Sequence, residues 1–276
     1  MPNLDVATTP LDEAITPTAV NMTVATVEAT VAEYGSWMQY SDKFLRTAVD
    51  NMKTAYTDAL GRQAGDTIDQ LIRDVAAAQT TNVIYPSGSS DVRTGITAAM
   101  TLTAPLVRKA IRALHSANAL PIEGDRFIGI LSESTWYDFV QDSTIYNIME
   151  QVYDRGQGNP LISGYMGTAL NTDWYMTTNA KTYDSTVTVH ATMIFGKDAI
   201  GFGGLAGMMP SAIKASQFEP NTGKRIMPVT IYDTTPETDS KEDPLHQRGT
   251  LGWRTTFVAK LLNGAFTAKI EHGVTA

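Results

Sequence analysis

Polar and apolar positions alternate from Asn21 to Ser41, through NMTVATVEATVAEYGSWMQYS. Met22, Val24, Thr26 and Glu28 fall on one side, and Thr23, Ala25, Val27, Ala29 and Val31 on the other. A period of two is that of a strand, and Glu33-Tyr34-Gly35-Ser36 has the make-up of a turn, so the pattern predicts two strands joined as a projecting hairpin. An isolated hairpin is marginal in water, so this one needs another surface to lie on. Residues 1–20, rich in Thr and Pro and without periodicity, read as an extended arm.

The period then changes. Tyr56, Leu60, Ala64, Ile68, Leu71, Ile72 and Val75 recur at spacings of three and four and end in alanines 76–78. This predicts a helix over 51–78, roughly 42 Å long at 1.5 Å per residue. Gly61 and Gly65 inside it cost helix propensity, which suggests a close crossing against a neighbouring element.

A second helix is expected from Thr103, a candidate N-cap with Pro105 close behind, to Asn118. A buried strand (Arg126 to Leu131), a helix from Glu133 to Val140 capped by Ser132, and a short helix around Tyr146 to Tyr153 follow. RGQGNPLISGYMG reads as a glycine-rich loop. Strands are expected at Asp173–Thr177, Thr186–Phe195 and Ala212–Phe218, then a connection from Glu219 to Asp243 rich in Pro, Thr and charge. Helices and strands mix without regular βαβ alternation, so the fold class is α+β.

Near the end, Asn263-Gly264 is the strongest short hairpin signal, a two-residue type I′ turn. It predicts Leu262 opposite Ala265 and Leu261 opposite Phe266. On the same face Ala259 then meets Ala268, Phe257 meets Ile270 and Thr255 meets His272. The other face pairs Lys260 with Thr267, Val258 with Lys269, and Thr256 with Glu271, giving one apolar and one mostly polar side.

Composition narrows the function. With 276 residues, 43% hydrophobic and 18% charged, the chain has the make-up of a folded protein with one large or two smaller domains. No apolar run approaches the ~20 residues that span a bilayer, and the first residues lack the basic start and apolar block of a signal peptide. The absence of cysteine excludes disulfides, thiolate zinc sites and a cysteine nucleophile. A net charge of −8, with no Lys/Arg run beyond two residues, argues against a tight grip on nucleic acid.

Catalytic motifs fare poorly. Gly201-Phe202-Gly203-Gly204-Leu205-Ala206 spells G-x-G-x-x-A with Glu219 downstream, but Pro210 and the next expected strand leave no room for the crossover helix of a dinucleotide site. A tight turn with a short helix is expected there instead. His115, His190, His246 and His272 have no metal-site spacing, and no G-x-S-x-G occurs. Asp243, His246, Gln247 and Arg248 resemble a catalytic cluster but read as the turn and strand entry before the last strands. Met208-Met209 reads as core filler, and no cofactor is expected.

The segment DPLHQRGTLGWRTTFVAKLLNGAFTAKIEHG resembles the C-terminal signature of tailed-phage major capsid proteins of the Hong Kong 97-type fold, in the branch found in podoviruses and prophages. TVAEYGSWMQYSD, GRQAGDTIDQLIRDVAAAQTTNVIY, TTNAK and ATMIFGKDAIG match the same family in order, from about residue 20 to 272. The resemblance implies an N-terminal arm (1–20), an extended loop (21–42), and a peripheral domain (43–122) with the spine helix 51–78. It further implies an axial domain (123–206) and a returning peripheral part (207–276) with the C-terminal hairpin.

The implied function is structural, not enzymatic. Copies of the chain form hexamers and pentamers of an icosahedral shell around double-stranded DNA, in a virion assembled in the host cytoplasm. Implied partners are the chain itself, a portal protein, and possible separate scaffolding and decoration proteins, with neither membrane nor sequence-specific nucleic acid among them. Because the arm begins within a few residues of Met1, any scaffold is expected to be a separate protein, or absent. The stretch 221–242 is longer than the family usually carries, and reads as a surface insertion ahead of an added contact. No lysine–asparagine crosslink is carried over, although Lys43 lies near the loop. The alternatives are a nanocompartment shell of the same fold around protein cargo, and an unrelated α+β hydrolase. Subunit contacts are expected at Trp37 and Tyr40, as exposed aromatics, and at Arg62, Arg73 and Arg248, as ion-pairing cations.

Overall fold

The longest helix is the element that the sequence announces most clearly. In the computed structural model, which describes residues 10, 26–47, 52–147, 165–204, 229–234 and 247–275, helix α2 runs Met52–Gln79 over 28 residues. Its apolar stripe sets Leu60 and Ala64 against Tyr40, Leu251 and Trp253, while Ala76 and Ala77 at its far end pack on Met193. Gly61 and Gly65 face open space, with nothing within 4 Å of where a Cβ would stand. Among the described residues they serve no close crossing, contrary to the sequence expectation.

A four-stranded sheet lies on α2. Strand β1 (Ala32–Ser41) is preceded by the short irregular run 26–31, followed by helix α1 (Asp42–Thr47), and pairs antiparallel with β10 (Arg248–Leu261). The ladder runs without a break from Ala32 opposite Phe257 to Ser41 opposite Arg248. The turn expected at Glu33–Ser36 is therefore a strand. Gly35 sits opposite Arg254, and a Cβ there would come 2.6 Å from the carbonyl oxygen of Trp253, so the glycine marks a close backbone approach instead of a reversal. The alternation expected to make a first strand at 22–31 meets an irregular run over 26–31, and it is in β1 that Tyr34, Met38 and Tyr40 share one face and cover α2.

Strand β8 (Ile200–Gly203) pairs with residues 258–261 of β10, so the Gly-x-Gly of the dinucleotide-like motif lies in a strand and not in the expected turn. Strand β9 (Thr230–Thr234) pairs with residues 250–254, placing a strand inside the stretch 219–243 that composition marked as a connection. Its residues Thr-Ile-Tyr-Asp-Thr, preceded by Val229, are rich in β-branched residues, a local signal that the surrounding Pro and charge obscured.

The second sheet has seven strands, β2 (Asn82–Ile84), β3 (Phe127–Ser132), β4 (Tyr165–Ala169), β5 (Thr172–Thr177), β6 (Thr182–Asp184), β7 (Thr188–Phe195) and β11 (Thr267–His272). Their order is β2-β11-β7-β3-β5-β4, with β6 also on β7. Helix α3 (Ala104–Ser116) buries Leu106, Val107, Ala110 and Leu114 in one cluster with Ile84, Ile194, Ala268 and Ile270. Thr103 has the extended backbone of an N-cap without a side-chain bond, and Asp142 takes that role by accepting from the Ala104 N–H at 3.1 Å. Helix α4 (Glu133–Gln141) is capped as expected, with Ser132 accepting from the Thr135 N–H, and it seats Phe139 against Trp174. Residues 143–147 are helical.

The largest departure is at Asn263-Gly264. Strands β10 and β11 do not pair with each other. β10 pairs with β1, β8 and β9, whereas β11 lies between β7 and β2, antiparallel to the first and parallel to the second. Gly264–Phe266 forms a 3-10 turn with Asn263 at φ −140°, its side chain accepting from the Ala265 N–H at 3.0 Å. A type I′ turn needs positive φ at both positions, so this is a different structure.

β7 runs into β8 just as β10 runs into β11, and the two pairs form a single antiparallel ribbon passing from one sheet to the other. Residues 262–266 stand opposite residues 196–199, one residue more on the β10–β11 side. Backbone bonds from the Leu262 N–H to Ala199 O (2.8 Å) and from the Gly196 N–H to Phe266 O (2.8 Å) close the bulge.

The arm 1–20 (apart from Pro10), the start of the loop at 21–25, residues 148–153 of the short helix expected around Tyr146 to Tyr153, residues 155–164 of the glycine-rich segment, Met208-Met209, the strand expected at 212–218, most of the 221–242 insertion, and Asp243 and His246 lie outside the described residues.

Candidate functional site

The four-stranded sheet has one face against α2 and an outer face on which Trp37, Tyr232 and Arg254 are exposed. Along one cross-strand row of that face stand Trp37 of β1, Gly252 of β10 and Tyr232 of β9. Trp37 is 68% exposed and Tyr232 47%. Gly252 gives Trp37 room to lie over the sheet, because a Cβ there would approach the Trp37 Cβ to 2.9 Å. In the next row Arg254 pairs with Glu33 at 3.0 Å, and its guanidinium lies 5.6 Å from the Tyr232 ring centre. These residues line an open groove of about 710 Å³. Arg248 is exposed on the same face, opposite Ser41 at the end of the ladder.

The other expected contact residues are not gathered there. Tyr40 points inward, 5% exposed, and donates to Asp233 Oδ1 at 3.4 Å, so it is not the exposed aromatic the sequence suggested. Alternation explains this: three positions after Trp37, Tyr40 takes the opposite face. Arg62 is exposed on α2 beside a shallow acidic groove with Asp58, Asp66 and Ala59. Arg73, further along α2, is committed within the chain, donating to Asn179 O at 2.8 Å and pairing with Asp74 at 2.9 Å. Trp37 and Arg248 thus share the outer face, four ladder positions apart, whereas Tyr40 faces inward and Arg62 and Arg73 lie on α2. Tyr232 was missed because it lies in the stretch read as a connection.

Two buried polar clusters hold the seven-stranded sheet. Glu271, fully buried, accepts from Arg93 Nε and Nη2 at 2.7 Å each and pairs with Lys269 at 2.9 Å. Lys269 also donates to Ala77 O at the end of α2, and Arg93 stacks 3.6 Å from the Tyr183 ring centre. Burial opposes ionisation of Glu271, yet the hydrogen bonds and charges of Arg93 and Lys269 outweigh it and hold the carboxyl below its ordinary range.

In the second cluster His272 Nδ1 lies 2.8 Å from Gly273 O and Nε2 lies 2.9 Å from Thr192 Oγ1. A carbonyl only accepts, so Nδ1 carries the proton and Nε2 accepts from the threonine. Burial pushes His272 down to about 4. His190 stacks beside it with ring centres 6.5 Å apart, and its Nδ1 meets Ser132 Oγ at 2.8 Å. Burial lowers His190 as well, with Asp138 acting the other way. Ser132 is buried and engaged as a helix cap, so the pair lacks the exposed nucleophile of a hydrolase. Among the described residues no group of three His, Asp or Glu is placed to hold a metal, and no helix is long and apolar enough to cross a membrane.

A family model described as phage capsid protein matches residues 23–269. No curated protein matches by sequence. Among solved structures, the capsid of Ralstonia phage GP4 is similar with a TM-score of 0.67 and 14% identity, covering 93% of this chain and 77% of that one. The capsid asymmetric unit of cyanophage Pam1 follows with a TM-score of 0.64 and 15% identity, covering 99% and 83%. An encapsulin complex from Synechococcus elongatus gives a TM-score of 0.51 and 8% identity, covering 88% and 74%.

Proposed function

From the premise that the chain belongs to the phage capsid protein family and is a major capsid protein of the Hong Kong 97-type fold, we propose that its copies form the hexamers and pentamers of a closed shell around double-stranded DNA. The family match over residues 23–269 carries this reading. The fold supports it, since the sheet laid on a 28-residue helix carries large exposed side chains, Trp37 and Tyr232 among them.

In this reading 1–20 is the arm, 21–42 the extended loop, α2 the spine helix, and 123–206 the axial domain. The segments 43–122 and 207–276 make up the peripheral domain, the latter with its crossover ribbon in place of a terminal hairpin. Trp37 anchors on a neighbouring copy through the outer sheet face, with Arg248 at the end of the same face and Arg62 on the helix as further contacts. Tyr40 and Arg73 act within the subunit. The shell meets a portal protein, is assembled in the host cytoplasm, and has no catalytic role.

Negative-stain microscopy of the expressed chain tests the reading: closed shells or capsomers are expected, and compact monomers at all concentrations would overturn it. The nanocompartment alternative differs in content, so particles purified with protein cargo and without DNA from an infected host would favour it. Trp37→Ala should leave melting of the unassembled chain unchanged and abolish particles.

A further inference from the structure

Helix α3 carries a concentration of positive charge that the acidic composition conceals. Its sequence, APLVRKAIRALHS, contains no Asp or Glu. Ala104, Leu106, Val107, Ala110 and Leu114 turn to the core, and Arg108, Lys109, Arg112 and His115 are all exposed. Arg108, Arg112 and His115 follow one another at spacings of four and three, forming a row along one face with Lys109 at its flank. Most other described arginines, including Arg46, Arg73, Arg93, Arg126 and Arg254, are in ion pairs. Among the described residues no carboxylate lies within ion-pair distance of the α3 cations. The acid nearest in effect is Asp142, which caps the helix and feels the charge of Arg108.

We infer that the exposed face of α3 is a contact for the phosphate backbone of double-stranded DNA, an inference that rests on the capsid reading above. From Arg108 to His115 the helix rises about 10 Å. One DNA strand presents a phosphate every ~3.4 Å of axis, so the row matches about three phosphates. The rest of the surface supplies a net negative background, which keeps the contact weak in one subunit. Repetition over many subunits makes a weak contact effective by avidity, and weak contacts let DNA slide as it is packed. No base-reading geometry is present, so the contact is independent of sequence. The acidic segment 1–31, with Asp5, Asp12, Glu13 and Glu28 and no Lys or Arg, is the competing polyanion. The regular charge spacing on a straight helix favours the duplex.

The test uses the full chain before assembly and a short fluorescein-labelled DNA duplex, read by anisotropy across a salt series. The wild type should lose affinity with a log–log salt slope of about −2.7, from three phosphates at about −0.9 each. The triple substitution R108Q/K109Q/R112Q should bring that slope near zero and weaken binding at least about tenfold at ~50 mM salt. R108K/R112K, which keeps the charge, should retain binding. Equal affinity and slope in wild type and triple variant would overturn the inference, as would tight capture of a peptide spanning 1–31 with no binding of the duplex. Microscopy of the same preparations separates the two readings. Particles without duplex binding leave the capsid function standing and remove this contact, whereas absence of particles counts against the capsid reading whatever the duplex does.

Discussion

Arg93 and Glu271 are joined by two hydrogen bonds of 2.7 Å across 178 residues of chain, tying the loop after β2 to the last strand. Lys269 completes the group from the same strand. Glu271→Ala would leave Lys269 buried without its counter-charge, which costs about 3–5 kcal/mol. Chemical denaturation of the unassembled chain should show that loss. Arg93→Ala should cost less, because Lys269 still neutralises Glu271 and Arg93 is partly solvated.

His272 sets a pH dependence. Its folded value of about 4 lies below the ordinary ~6.5, so the native state favours the neutral ring. That stability is full above pH ~6.5, declines as pH falls toward about 4, and amounts to about 2–4 kcal/mol. Glu271 acts in the same direction at lower pH, because its depressed carboxyl contributes above its unfolded value and is lost on protonation. His272→Asn should flatten the melting temperature between neutral pH and about 5, at the expense of a lower value at neutral pH.

The crossover at Asn263-Gly264 makes a prediction opposite to that of a hairpin. Gly264 lies in a 3-10 turn, so Gly264→Ala should change stability by less than about 0.5 kcal/mol. In a type I′ turn the same change would strain a positive φ and cost more than about 1 kcal/mol. Asn263→Ala removes the bond to the Ala265 N–H and should cost about 0.5–2 kcal/mol.

Glycines elsewhere divide by what surrounds them. Gly129 faces the ring of Trp174, where a Cβ would fall 2.5 Å from Cζ3, so Gly129→Ala should destabilise by about 1–3 kcal/mol. Gly61 and Gly65 face open space, and Gly→Ala at each should stabilise the unassembled chain by about 0.5–1 kcal/mol. If the same changes block particle formation while raising the melting temperature, a neighbouring copy packs on that face of α2.

Local interactions made part of this protein legible from its sequence alone. A stripe at three- and four-residue spacing gave α2 to within a residue at each end, and Ser132 marked the start of α4. Both depend on contacts within one or two turns of chain. The faces of β1 were not legible: the alternation was assigned to 22–31, Trp37 and Tyr40 were both expected to be exposed, and Gly35 looks the same in a turn as in a close strand approach.

Strand partners were decided by the tertiary structure. The hairpin register would have put Lys269 and Glu271 on a polar, solvated face. They are instead buried, because Arg93 and the end of α2 reach them from distant parts of the chain. β7 and β2 offer β11 two edges and a core on both faces, more burial than β10 alone supplies. Asn-Gly specifies that the chain bends, and the surfaces available to each side of the bend determine where it goes.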